Sequence, residues 1–105
     1  MLNSTAAPGG TTTGIDARLL PPGIEFVIDT DNSRYRFVMR DGNGVNALVQ
    51  GGRFFLEETE VRIAGSTSGG SVLKIAWIEL GRCLELSVFG TRIVTSPVRS
   101  ISVAG

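Results

Sequence analysis

The sequence predicts an all-β fold: a small antiparallel β-barrel or compact β-sandwich of about seven or eight short strands, with little or no helix. Three observations lead there. From Ile24 onward, apolar and polar residues alternate with a period of two. Glycine-rich or Asp/Asn turns interrupt these runs at short intervals, and no segment combines a 3.6-residue apolar period with capping residues. Closure of such a sheet, in full or in part, hides strand edges that would otherwise pair with other chains.

Residues 1–23, rich in Ser, Thr, Gly and Pro, read as a flexible N-terminal arm, and residues 24–105 as a single all-β domain. Ile24, Phe26 and Ile28 share one face of a first strand. Tyr35, Phe37 and Met39 share one face of a second, with Arg34, Arg36 and Arg40 opposite. Thr30, Asp31 and Asn32 suit the turn between them, and Asp41-Gly-Asn-Gly44 is a stronger turn signal because Gly and Asn tolerate positive φ. Val45 to Gln50 follows as a third strand. Gly51-Gly52 marks a bend before a fourth, which ends at Ala64, and the Gly/Ser-rich stretch from Gly65 to Ser71 reads as a loop.

The next run places Leu73, Ile75 and Trp77 on one face and Val72, Ala76 and Ile78 on the other. A strand apolar on both faces is central, or it meets a partner chain, so Val72, Ala76 and Ile78 are the expected interface. Leu84, Leu86 and Val88 form a further strand, Arg92 to Thr95 another, and Val98 to Val103 the last, with Pro97 at a strand start or edge because it cannot donate to a ladder.

Composition excludes more than it suggests. Ten Lys and Arg balance ten Asp and Glu, which leaves no net field to concentrate nucleic acid or an acidic membrane surface. Histidine, the commonest general base and metal ligand, is absent. The single cysteine, Cys83, has no intrachain partner, and the first residues lack a basic and apolar leader, so a soluble cytoplasmic protein is expected. No cofactor, metal set or catalytic residue is expected. Asp29-Thr-Asp-Asn-Ser33 opens like a calcium loop but lacks the glycine and glutamate that complete one.

Two clusters remain as binding candidates. Arg34, Arg36 and Arg40 form a row able to hold phosphates, with Phe54 or Phe55 available to stack on a ring. Glu25, Asp29, Glu58 and Glu60 compete for those arginines as cross-strand partners. The loop from Gly65 to Gly70 can present backbone N–H groups to an anion, with Lys74 beyond it, but the lysine and helix of a P-loop do not follow. Arg36-Phe-Val-Met-Arg40, followed by Ala64-Gly-Ser-Thr-Ser-Gly69, resembles the two motifs of PilZ domains, small barrels that bind a cyclic dinucleotide. The resemblance covers those motifs alone. It departs at Ala64, where the family has an acidic or amide residue, and in setting both arginines within a strand.

The expected function is a non-catalytic module for protein–protein interaction or self-association. The alternative is an anion, nucleotide or nucleic-acid binder using the arginine row and the Gly/Ser-rich loop.

Overall fold

The computed structural model describes residues 13–40, 45–68 and 72–104. Nine strands occur among them: β1 (Gly14–Asp16), β2 (Glu25–Thr30), β3 (Arg34–Met39), β4 (Asn46–Gly51), β5 (Phe55–Thr67), β6 (Leu73–Ile75), β7 (Trp77–Glu79), β8 (Cys83–Val88) and β9 (Thr91–Val103). The only helical turn among them is a 3-10 turn, Ala17–Leu19, capped by the Asp16 carboxylate, which accepts from the Arg18 N–H. The expected all-β antiparallel fold is what forms.

The pairings close into a ring. β3 lies between β2 and β4, β4 also pairs with β5, β5 with β8, β8 with β9, and β9 with β2, all antiparallel. β6 adds to β5 outside this ring, and β1 with β7 makes a separate two-stranded sheet. The two long strands, β5 and β9, make closure possible by changing partner along their length. β5 pairs with β4 in its first half and with β8 in its second. β9 runs along β8 up to Pro97 and along β2 from Val98. Pro97 therefore stands at the switch, where its missing N–H takes no bond from a regular ladder. Register shifts between Ile63 and Gly65, and between Cys83 and Glu85, supply local twist as bulges do.

Alternation sends one side of each strand inward. Phe26, Ile28, Phe37, Val49, Ile63, Leu84, Leu86 and Val98 are fully buried. Phe26 and Phe37 are register partners whose rings stack at 4.9 Å, and Tyr35 meets Phe55 edge-on at 6.2 Å. Burying each such ring contributes about 1.5–3 kcal/mol.

Three expectations need correction. The segment from Thr13 to Gly23, assigned to the arm, belongs to the folded body. Gly14 to Asp16 pairs with β7, Ala17 is fully buried, and its N–H donates to the Ala76 carbonyl at 2.8 Å. Residues 1–12 lie outside the described residues. Gly65, Ser66 and Thr67 are not loop but the end of β5, all buried, with β6 on one edge and β8 on the other. The run from Val72 to Ile78 is not one strand: Ala76 adopts φ +60°, which breaks it into β6 and β7. That break rotates the chain, so Ala76 and Ile78 enter the core while Leu73 and Ile75 turn outward.

Candidate functional site

The arginine row divides. Arg34 donates through Nε and Nη2 to both Asp29 oxygens, at 2.7 and 3.3 Å, across the β2–β3 register. Arg36 donates to Glu25 at 3.1 Å. Arg40, at the end of the row, has no acidic partner among the described residues. Arg34 and Arg36 are therefore cross-strand pairs on the outer face of the barrel, not an anion cradle.

The glycine-rich segment is likewise committed to structure where it is described. The Ser66 hydroxyl donates to the Trp77 carbonyl at 2.6 Å and accepts from the Glu79 N–H at 2.9 Å, tying β5 to β7. Residues 69–71 lie outside the described residues. Lys74 is exposed on β6 and pairs with Glu79 at 3.0 Å, where Arg82 and the Trp77 indole N–H also donate.

Two surface features are left. The first is apolar. Val72, Leu73 and Ile75 are 65%, 39% and 67% exposed, and β6 pairs only with β5 among the described residues. Of the expected interface residues Val72, Ala76 and Ile78, Val72 stays on the surface but Ala76 and Ile78 are buried, while Leu73 and Ile75 are exposed.

The second is a cleft of about 550 Å³ lined by Asn32, Ser33, Tyr35, Arg53, Phe54, Val94 and Ser96. It forms where the β2–β3 turn, the β4–β5 turn and the middle of β9 approach one another. Phe54 and Phe55 part company here. Phe55 is buried, so it is withdrawn as a stacking candidate, whereas Phe54 is 51% exposed and braced by the Phe55 ring at 6.4 Å. The wall is fixed by a hydroxyl relay: Ser96 Oγ donates to Thr30 Oγ1 at 2.8 Å, and the Asn32 and Ser33 N–H groups donate to Ser96 Oγ and Thr30 Oγ1.

Comparison with family models, curated proteins and solved structures gave no match. The likeness to PilZ motifs is therefore carried no further, and function rests on the two surface features. Among the described residues no group of three His, Cys, Asp or Glu is placed to hold a metal, and no helix is long and apolar enough to cross a membrane.

Sequence reasoning missed Arg53, Tyr35, Asn32 and Ser33 as site residues. The available signal was Gly51-Gly52 directly before a cation and an aromatic ring, a dipeptide that lets a turn approach other chain segments closely.

The ion pairs make a pH prediction. The Arg34 hydrogen bonds hold the Asp29 carboxyl below its ordinary value against the opposing effect of burial, with a lesser contribution from the Ser100 hydroxyl. Arg99 does the same for Asp31, Arg18 for Asp16, and Lys74 and Arg82 for Glu79. Because these values are lowered by folding, the unfolded chain binds more protons once pH falls into the ordinary carboxylate range of about 4. Stability is complete above that range and declines as the folded carboxylates protonate below it. With no histidine, the urea midpoint is expected to be flat from about pH 5.5 to 7 and to fall below about pH 4. A midpoint that moved within the neutral range would contradict this.

Proposed function

We propose that this chain is a non-catalytic, cytoplasmic β-barrel module that self-associates through β6. The observation that carries the reading is the exposure of Leu73 and Ile75 on β6, the last strand of the sheet order, with Val72 exposed directly before it. An edge strand offers unpaired N–H and C=O groups, and natural proteins usually blunt such edges with charge. Here the one charge on β6, Lys74, is already neutralised by Glu79.

A second copy is the favoured occupant. A chain with formal net charge +0 has no long-range repulsion between its copies. A domain of this size also buries only about 60–65% of its unfolded surface, so covering an apolar strand adds burial it otherwise lacks. The non-catalytic part of the reading rests on the absence of histidine, the usual base for turning a thiol such as Cys83 into a reactive thiolate. An unpaired cysteine fits a reducing compartment.

Size-exclusion chromatography with light scattering tests the proposal. The wild type is expected to elute as a dimer at high micromolar concentration. Ile75→Lys should return it to monomer with an unchanged melting temperature, since the side chain is exposed. A wild-type protein monomeric up to millimolar concentration, or an Ile75→Lys dimer of undiminished strength, would overturn it.

A further inference from the structure

We propose that the cleft bounded by the β2–β3 turn, the β4–β5 turn and β9 is a binding site for a nucleoside monophosphate. The first pointer is Tyr35. Its side chain is locked in place: the residue is 2% exposed, Phe55 packs on its ring, and an added Cβ on Gly52 would lie 2.8 Å from its Cε1. Yet its hydroxyl has no hydrogen-bond partner among the described residues, although the residue lines the cleft. Buried tyrosine hydroxyls are nearly always paired, so an orphan beside a cleft marks a donor and acceptor held ready for something that enters.

Charge gives the second pointer. Of the ten cations, Arg18, Arg34, Arg36, Lys74, Arg82, Arg92 and Arg99 each have an acidic partner. Arg53 is one of three with no acidic partner among the described residues, and it lines the same cleft. A guanidinium without a carboxylate is suited to a phosphate, which it can bind through two parallel hydrogen bonds.

Beside it, Phe54 presents a half-exposed ring backed by Phe55, the arrangement on which a planar base stacks. The lining is also polar at the Ser33 hydroxyl and the Asn32 side-chain amide, neither of which has a partner among the described residues. Such groups suit sugar hydroxyls. A volume of about 550 Å³ lies within the usual range for small-molecule sites, and the Ser96–Thr30 relay holds the wall rigid before any ligand arrives.

A single nucleotide is favoured over a nucleic-acid strand because Arg53 is the one cation among the residues that line the cleft. Arg34, between Ser33 and Tyr35 in the chain, is occupied by Asp29.

Isothermal titration and amide chemical-shift mapping with AMP, GMP, CMP and UMP test the site, using adenosine and ribose 5-phosphate as the arms that lack phosphate or base. At least one monophosphate is expected to saturate, with shifts at residues 32–35 and 53–54. Adenosine and ribose 5-phosphate should bind at least tenfold more weakly. Arg53→Met and Phe54→Ala should each weaken binding at least tenfold. Tyr35→Phe should weaken it several-fold while leaving the melting temperature unchanged or higher, since an unpaired hydroxyl adds nothing to the fold. The proposal fails if none of the four nucleotides saturates, if ribose 5-phosphate binds as well as the best of them, or if a single-stranded oligonucleotide binds more tightly.

Discussion

Phe37→Ala is expected to lower the unfolding free energy by about 3–5 kcal/mol, which is much of what a domain this small possesses. Phe37 is fully buried and stacks on Phe26 across the β2–β3 ladder with ring planes only 4° apart. Truncation removes the transfer free energy of the ring and leaves a cavity that a closed ring of strands cannot readily collapse around. Because Phe26 also faces Val103 of β9, the loss falls on the seam where the first and last strands of the barrel join. Urea denaturation followed by Trp77 fluorescence measures it. Phe54→Ala, at the half-exposed ring, is the control and should cost no more than about 1 kcal/mol. A Phe37→Ala protein within 1 kcal/mol of wild type, on the order of a surface change, would show that the core is not organised around this stack.

Gly65→Ala is expected to cost at least about 3 kcal/mol, by a different route. Gly65 sits at φ +142° near the end of β5, paired with Ile75 on one side and Glu85 on the other. A Cβ there would lie 2.0 Å from the Lys74 carbonyl oxygen and 3.0 Å from the Ala76 nitrogen, both backbone atoms that cannot swing aside. Relief requires β6 to separate from β5. Gly81→Ala isolates the conformational part, since Gly81 also has positive φ but an added Cβ meets nothing within 4 Å. That variant should lose only about 1–2 kcal/mol, so the difference between the two melting curves reports the close approach itself. Equal losses would mean that β6 yields without resistance.

Period-two alternation was enough to locate β2, β3, β4 and β8, because each has one dry face and one wet one. It failed where local composition and long-range pairing disagree. Gly65-Ser-Thr67 has the composition of a linker, but sits between two strands, and pairing on both edges overrides propensity. Gly14 and Ala17 carry too little side chain to register as core, yet both are buried because β7 passes so close: an added Cβ on Gly14 would lie 2.3 Å from the Ile78 carbonyl oxygen. The break at Ala76 had no signal, since alanine seldom adopts positive φ.

The sites follow the same division. That Glu25 and Asp29 would compete for Arg34 and Arg36 was legible from alternation, because cross-strand partners are close in the chain. The cleft was not. It is assembled from residues near positions 33, 53 and 95, which meet only once the ring has closed.

The union of β2 with β9 has a bearing on how the molecule is made. Every other seam of the ring joins segments nearer in sequence than Glu25–Thr30 and Thr91–Val103. Bringing such distant segments together carries a loop-closure cost, so this is the seam expected to form last. Its formation converts an open ribbon with two bare edges into a sealed cylinder.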